Sequence, residues 1–389
     1  MTILIDPPNA AGHGRLWSHL ASDESFAELH AFARAMGIPE RGFDRDHYDV
    51  PAEWHDRMVA AGAVPVSSRE LIDHLVAAGL RRRKNEVLHP RRPGQPLQLP
   101  GPVRAGARVA VVATAGPVDP GRLAAGLERM RSWGLVVDPP GDLAPAELPW
   151  LAGSDEARAA ALQDAWLDGS TSVVWCARGG FGSQRVLDLL DWDAMAGVQP
   201  SWLVGYSDVT ALHQAFAARL GVATLHGPGA ASLSDAAPAT VESARAAVLE
   251  GRFATMVGTP GRGGSAEGVL VGGNLAILAS TVGTRGSRRA GGGIALLEDV
   301  GEQPYRLDRL LTQLVRSGWF DDVAGVACGA FTDCGDPDAV RDVLSRRLTP
   351  LGVPIVWDLP VGHGEVNLTV PFGRLALLDG GTGTLTPVS

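Results

Sequence analysis

Between residues 108 and 220, short apolar runs alternate with segments in which hydrophobic residues recur at the spacing of a helix. Short apolar runs typical of buried strands occupy 108–113, 135–137, 173–177 and 202–204, and helical patterns occupy 120–133, 154–167 and 183–190. Strands that alternate with helices predict a parallel sheet with right-handed crossovers. Ligands of such a sheet bind beyond the carboxyl ends of its strands.

The pattern changes on both sides of this region. Beyond about residue 255 the segments become short, glycine-rich and β-like, with two helical patterns at 303–317 and 338–347. Near the N-terminus one strand is predicted at 3–5 and two helices at 25–36 and 68–78. The chain therefore reads as α/β, with a small α/β N-terminal domain, a parallel-sheet domain and a mixed, β-rich C-terminal domain.

A proline-rich stretch separates the first two of these regions. It follows the basic tract 81–84 and contains Pro90, Pro93, Pro96, Pro100 and Pro102 but few apolar residues, so no core is expected in it. A solvated linker explains the basic tract more simply than an anionic partner does. The predicted organisation is an N-terminal domain, a linker, the parallel-sheet domain and the C-terminal domain, over 1–85, 86–104, 105–250 and 251–389.

Composition narrows the class of protein. A formal net charge of −9 disfavours a general nucleic-acid binder. No apolar run approaches the length of a membrane span, and the first residues show no basic segment followed by a long apolar one. The three cysteines (Cys176, Cys328 and Cys334) have no metal-type spacing and fit a reducing cytoplasm.

Histidines are concentrated near the N-terminus. Five of the ten lie in the first 55 positions, among several aspartates: His13, His19, His30, His47 and His55, with Asp6, Asp23, Asp46 and Asp49. A metal or phosphodiester site is one interpretation, and polar surface or hydrogen-bonded core is the other, because the spacings match no ligand motif. The run from His13 to Pro51 resembles the domain of unknown function 4031, a name that conveys no activity.

A hexapeptide after the last of the predicted strands carries the first chemical signal. In the sequence GYSDVT at 205–210, Ser207 stands where a strand ends abruptly and a helix begins. This is the position of the serine in a nucleophile elbow, although Val209 replaces the second glycine of the usual G-x-S-x-G. Alone, the hexapeptide fits a serine that caps a helix equally well.

Three further segments favour catalysis. A glycine-rich turn, RGGFG, occupies 178–182 after a predicted strand, and the segments LLEDV at 296–300 and GHGEVN at 362–367 follow later in the chain. Together they supply Ser207, Glu298 and His363 with a turn able to present backbone N–H groups, which are the parts of an acyl-transfer site. Asp299 is the alternative carboxylate, and a loop histidine and a strand-end glutamate are the non-catalytic interpretations.

Read in order, these segments resemble the LD-carboxypeptidases of serine peptidase family S66, which include the microcin C self-immunity peptidases. The matching pieces also include LHGP at 225–228, GGNLAIL at 272–278 and EQPYRLDRLL at 302–311, and the resemblance covers about 105–385. It implies that Ser207 is the nucleophile, His363 the general base and Glu298 its orienting carboxylate, with the N–H groups of Gly180 and Asp208 as oxyanion hole. Phe181 and the segment 113–115 depart from the family pattern without removing a catalytic group.

The resemblance also implies an activity. It is the release of terminal D-alanine from a muropeptide tetrapeptide by cleavage of an L,D-peptide bond, in cytoplasmic cell-wall recycling by a homodimer. Arg178 and Arg306 are candidates for binding the substrate carboxylate, or have structural roles only. A triad supplies base, nucleophile and charge stabilisation, so we predict that hydrolysis needs no metal or cofactor.

Two other functions stay open at this point. The first is hydrolysis of a peptide–nucleotide amide, which needs an aromatic platform for the base; the ten tryptophans offer candidates. The second, of another class, is a non-catalytic binding protein whose N-terminal domain carries the function. Neither nucleic acid nor a membrane is expected as a partner.

Overall fold

The computed structural model describes residues 2–12, 14–39, 42–44, 46–78, 80–81, 92–141 and 148–388. Two compact units are present. The first contains 1–88 with the short segments 167–169 and 192–199, and the second contains 89–166, 170–191 and 200–389. Within the described ranges, no helix combines the length and apolar composition needed to cross a membrane.

Strands and helices are numbered in chain order. The strands are β1 Ile3–Ile5, β2 Ala10–Gly12, β3 Arg15–Ser22, β4 Phe43–Asp44, β5 His47–Pro51, β6 Val64–Pro65, β7 Arg108–Val112, β8 Val136–Asp138, β9 Thr171–Cys176, β10 Trp202–Gly205, β11 Thr224–His226, β12 Met256–Val257, β13 Thr259–Pro260, β14 Ser265–Asn274, β15 Gly293–Val300, β16 Gly325–Thr332, β17 Ile355–Trp357, β18 Val370–Phe372, β19 Leu375–Asp379 and β20 Thr384–Pro387. The α-helices are α1 Phe26–Ala35, α2 His55–Ala60, α3 Ser68–Ala77, α4 Pro120–Ser132, α5 Asp155–Leu167, α6 Ser183–Val186, α7 Trp192–Ala196, α8 Thr210–Ala215, α9 Pro238–Glu250, α10 Leu275–Thr281, α11 Pro304–Arg316 and α12 Pro337–Leu348.

The first unit is built on a mixed sheet with the order β4-β5-β3-β1-β6, to which β2 adds beside β3. Helices α1 and α3 begin where the sequence predicts, because Ser25 caps the first and a Ser67–Glu70 capping box starts the second. One face of the sheet packs on a core that includes Leu20, Leu29 and Tyr48. The expected small α/β N-terminal region is present.

The first sheet of the second unit has the order β18-β11-β10-β9-β7-β8, and all of its strands except β18 are parallel. The predicted parallel sheet is therefore confirmed. Strand β7 lies between β8 and β9, so the winding direction reverses there and opens a crevice at the carboxyl ends. The helix predicted over 183–190 is shorter, since Leu187–Leu189 continues from α6 as a 3₁₀ turn.

The second sheet has the order β12-β20-β19-β14-β15-β16-β17-β13 and is mixed, with β14 to β17 parallel. This agrees with the predicted mixed C-terminal region. Its chain also returns to the first sheet, where β18 pairs antiparallel with β11. Both sheets belong to one compact unit.

The described part of the predicted linker, residues 92–104, differs from the expectation that it holds no core. Leu97 and Val103 are buried in the core beneath the parallel sheet. The Leu97 N–H donates to the Gly373 carbonyl at 2.8 Å, and Gln98 forms a β-bridge with Val222. The expectation was wrong because it rested on the small number of apolar residues in this stretch. Two buried apolar side chains are enough to anchor an extended segment to the core.

Candidate active site

Ser207 occupies a sharp turn between β10 and α8. Its φ is +64°, in the left-handed region that costs a residue with a side chain free energy. A Cβ on Gly205 would lie 2.8 Å from the Val209 side chain, so the valine fills the space that glycine leaves before the turn. The elbow predicted from the hexapeptide is present, with Val209 in place of the second glycine.

The three predicted triad residues meet at this turn. His363 Nε2 lies 3.0 Å from Ser207 Oγ, and His363 Nδ1 lies 2.6 Å from Glu298 Oε2. Glu298 is fully buried on β15, whereas His363 follows β17 in a loop. One hydrogen-bonded chain therefore joins hydroxyl, imidazole and carboxylate.

Asp299, the alternative carboxylate, faces elsewhere. Its Oδ1 accepts hydrogen bonds from Asn274 Nδ2 and the Val300 N–H, both at 2.8 Å, and its Oδ2 accepts from the Ala276 N–H at 3.0 Å. Burial raises the pKa of Asp299 to about 6. These hydrogen bonds join β15 to the start of α10. Asp299 points away from Glu298 because successive residues of a strand point to opposite faces of the sheet.

Two glycines make the close approach of the triad possible. A Cβ on Gly362, whose φ is +99°, would lie 2.5 Å from Glu298 Oε2. A Cβ on Gly179 would lie 2.7 Å from the Cβ of Ser207. A larger residue at either position would displace a member of the triad.

The electrostatics of His363 favour its charged form. Burial alone would lower the pKa of His363, but the hydrogen bond and charge of Glu298 act in the opposite direction and the pKa lies above its ordinary value of 6.5. The ring of Tyr206 packs against the imidazole with centroids 4.9 Å apart. A carboxylate that stabilises the imidazolium is what a general base needs after it takes a proton.

The two predicted oxyanion donors flank Ser207 in the fold. Gly180 lies in the turn after β9 with φ +118°, and Asp208 is the second residue of the 3₁₀ turn Ser207–Val209. Within the described ranges neither N–H donates a hydrogen bond. The Asp208 carboxylate points away into the protein, where it accepts from the Ser183 N–H at 2.7 Å.

A cavity of about 270 Å³ opens beside the triad, at the carboxyl ends of the parallel strands. Its lining consists of Val118, Asp119, Arg122, Arg178, Gly179, Gly180, Tyr206, Ser207, Ala231, Ser232 and His363. All of these residues except His363 follow β7, β9, β10 or β11, as ligand sites of doubly wound sheets do. His363 comes from the loop after β17. Arg122, Tyr206 and Ser232 were not predicted, since nothing in the local pattern marks them.

The arginines predicted to bind substrate differ in position. Arg178 lines the cavity, donates to the carbonyls of Gly179 and Pro117, and forms no ion pair with a described residue. Arg122, by contrast, pairs with Asp235 at 2.6 Å. Arg306 is not part of the lining, and its guanidinium lies 3.7 Å from Glu302.

A supporting residue holds the histidine loop. The Oδ1 of Asn367 accepts from the Gly362 N–H at 2.9 Å, and the Asn367 N–H donates to the Thr240 hydroxyl at 2.9 Å. The asparagine thus fixes the backbone that presents His363. Its place in the GHGEVN segment was the only available signal of this role.

A serine–imidazole–carboxylate chain at the carboxyl edge of a parallel sheet is typical of hydrolases. This protein belongs to the LD-carboxypeptidase family, peptidase family S66. Residues 109–227 match the model of the LD-carboxypeptidase N-terminal domain and 267–378 that of the C-terminal domain. Residues 3–78 match a protein family of unknown function, DUF4031.

Two relatives extend over most of the chain. A putative carboxypeptidase of Streptomyces coelicolor is 50% identical over 297 residues, 75% of this chain and 96% of that protein. The murein tetrapeptide carboxypeptidase of Pseudomonas aeruginosa is 34% identical over 288 residues, 70% of this chain and 93% of that protein. Both alignments agree with the peptidase family.

A solved structure shares the fold. The microcin C7 self immunity protein, in complex with aspartyl sulfamoyl adenosine, superposes with a TM-score of 0.65 at 22% identity. The match covers 75% of this chain and 98% of that protein. At this identity the likeness concerns architecture alone.

Proposed function

We propose that this protein is a serine-type LD-carboxypeptidase that releases the terminal D-alanine of muropeptide tetrapeptides. The observation that carries the proposal is one cavity lined both by Ser207, which is hydrogen-bonded to His363, and by Arg178, whose guanidinium forms no ion pair with a described residue. A carboxypeptidase needs both a nucleophile and a cation for the free terminal carboxylate.

The first half of the reaction uses the triad directly. His363 Nε2 accepts the proton of Ser207 as Oγ attacks the carbonyl carbon of the scissile amide. Glu298 accepts from Nδ1 and stabilises the imidazolium that forms. The N–H groups of Gly180 and Asp208 donate to the oxyanion, and each donor of this kind contributes ~3 kcal/mol to transition-state stabilisation.

The second half restores the enzyme. The imidazolium of His363 donates its proton to the amine of D-alanine, and D-alanine departs. The acyl group of the substrate is then joined to Ser207 as an ester. Water then attacks this ester with His363 again acting as base, and the shortened peptide leaves. The buried Glu298 keeps the imidazole in one tautomer throughout both halves.

Recognition of the substrate terminus is assigned to Arg178. Arg306 pairs with Glu302 outside the cavity lining and is the matched control. The key experiment compares a muropeptide tetrapeptide with the same peptide amidated at its C-terminus, and follows products by mass. We expect cleavage of the free acid and at least tenfold weaker kcat/KM for the amide.

Variants locate that preference. Arg178→Lys should raise KM for the free acid and leave the amide unaffected, whereas Arg306→Ala should change neither. Equal turnover of acid and amide by the wild-type protein would contradict a carboxypeptidase. Loss of the preference in Arg306→Ala instead would mean that the wrong arginine was assigned.

The rival activity on a peptide–nucleotide amide is addressed by the same assay with an aminoacyl sulfamoyl adenosine as substrate. No tryptophan is among the described residues that line the cavity, so none of the predicted platform candidates lies there. The aromatic ring in the lining, that of Tyr206, packs against His363. A vestigial site is also disfavoured, because Ser207, His363 and Glu298 are assembled at hydrogen-bond distances. The family resemblance further implies a cytoplasmic homodimer, and both properties stay predictions.

A further inference from the structure

The first unit contains a cluster of side chains that the peptidase chemistry does not use. His19 on β3 pairs directly with Asp49 on β5 in the antiparallel register, and His47 lies two residues before Asp49 on the same face. His47 Nε2 is 3.4 Å from Asp49 Oδ1, and His19 Nε2 is 4.0 Å from the same oxygen. Two imidazoles and one carboxylate thus converge on one point of the sheet.

Each imidazole is oriented from behind by a second carboxylate. His19 Nδ1 lies 2.9 Å from Asp6 Oδ2, and His47 Nδ1 lies 2.7 Å from Asp46 Oδ1. Ionised carboxylates accept hydrogen bonds only, so each Nδ1 carries a proton, and Nε2 is the ring nitrogen that can offer its lone pair to a metal. This carboxylate–histidine arrangement is the one that orients metal ligands in proteins.

Asp6 is itself held in place. It is almost fully buried and accepts from the His19 N–H and the Ser68 hydroxyl, both at 2.6 Å. Asp46 is also buried and lies 3.5 Å from the guanidinium of Arg81. With both imidazoles neutral, three carboxylates and one guanidinium leave two negative charges, which one divalent cation balances.

We propose that His19 Nε2, His47 Nε2 and a carboxylate oxygen of Asp49 bind one divalent transition-metal ion. Two ligands about 2.1 Å from a tetrahedral zinc ion lie about 3.4 Å apart. The pair formed by His47 and Asp49 has this separation, and the pair formed by His19 and Asp49 is slightly wider. Imidazole ligands favour zinc, copper, iron or nickel over calcium, magnesium or manganese.

The site leaves room for a further ligand. His19 and Asp49 line a pocket of about 650 Å³ whose other walls include Trp17, Ile38, Pro39 and Trp54. A metal with three protein ligands and an open position is typical of catalytic rather than structural sites. The pocket therefore fits a molecule with a metal-binding polar end and an apolar or aromatic body.

The test is metal binding by the full-length chain. Protein freed of metal with a chelator is titrated with Zn²⁺ by calorimetry, and with Co²⁺ by its visible absorption, which reports the number and type of ligands. We expect one saturable equivalent per chain, with cobalt bands of a nitrogen- and oxygen-ligated site. Thermal unfolding should shift to higher temperature with Zn²⁺, because the metal binds the folded state.

Variants assign the ligands. His19→Ala, His47→Ala and Asp49→Asn should each weaken Zn²⁺ binding at least tenfold, and Asp6→Asn should weaken it about 10- to 100-fold through the orientation of His19. His55→Ala is the control, since His55 lies in the same unit and contacts Asp56 instead. Asp49 is nearly half exposed, so its asparagine variant should fold, which circular dichroism checks.

Two results would overturn the proposal. The first is the absence of saturable binding by the wild-type protein, which would mean that both Nε2 atoms carry protons and pair with Asp49. The second is unchanged affinity in folded Asp49→Asn. Neither result bears on the peptidase, because hydrolysis by Ser207 is predicted to proceed without a metal.

Discussion

The imidazole of His363 lies 3.0 Å from the hydroxyl of Ser207, although 156 residues separate them in the chain. The serine comes from the end of a strand in the first sheet and the histidine from a loop after the last parallel strand of the second. Residues that follow strands of two different sheets therefore form one reactive group.

Ser207→Ala should reduce hydrolysis at least a thousandfold, because the nucleophile is lost. Ser207→Gly should be as inactive yet more stable to unfolding than Ser207→Ala by about 1 kcal/mol, since glycine adopts the left-handed φ without the Cβ penalty. Kinetics and urea unfolding check both. An alanine variant at least as stable as the glycine variant would contradict the strain at this turn.

Glu298→Gln should lower kcat by about a hundred- to ten-thousandfold, because the amide cannot stabilise the imidazolium. Asp299→Asn should leave kcat nearly unchanged but lower the free energy of unfolding by ~1–3 kcal/mol, since Asp299 accepts three hydrogen bonds. If the asparagine variant has the lower kcat, the two carboxylates have been assigned the wrong roles.

The pH dependence should follow His363. Its imidazole must be neutral to accept a proton, and its pKa is raised, so kcat/KM should fall as the pH decreases through a value above 6.5. In Glu298→Gln the residual activity should persist to lower pH, because the charge that raises the pKa is gone. An acid limb at the same pH in both proteins would show that another group titrates.

Gly362→Ala should abolish most activity, because a Cβ there would lie 2.5 Å from Glu298 Oε2 at a backbone φ of +99°. Gly364→Ala is the matched control on the other side of His363, where the nearest atom would be the Cβ of Ala330 at 3.2 Å. Kinetic assays and melting temperatures should separate the two. Similar activity in both variants would contradict the close-approach argument.

A chain that begins at Arg92 should keep the hydrolysis of a small muropeptide, because each residue of the triad lies in the second unit. A chain that begins at Gly101 should be less stable by roughly 2 kcal/mol, since it lacks the buried Leu97. The segment 192–199 belongs to the same compact unit as 1–88, so both truncated chains should melt below the full-length protein. Inactivity of a folded chain from Arg92 would show that the first unit is required.

Local patterns sufficed for much of the second unit. The four predicted strands between 108 and 205 and the helices predicted over 120–133 and 154–167 are close to where their periods predict, because a buried parallel strand and an amphipathic helix impose different spacings on apolar residues. The helix predicted over 183–190 ends early in a 3₁₀ turn, and the short helix α7 was not predicted. Ser207 could be identified too, since the elbow is a strand, a turn and a helix in immediate succession. The expectation that 92–104 holds no core was wrong because it rested on the number of apolar residues. That number does not show where Leu97 packs.

The sequence by itself determined the alternation of strands and helices, the elbow that carries Ser207, and the residue types of a triad, because these depend on neighbours along the chain. Only the tertiary structure decided that Glu298 rather than Asp299 faces His363, that Arg178 rather than Arg306 lines the cavity, and that His19 meets His47 and Asp49. Those choices depend on which face of a strand a side chain occupies and on which strands pair. Both are set by long-range packing and register, which no local spacing encodes.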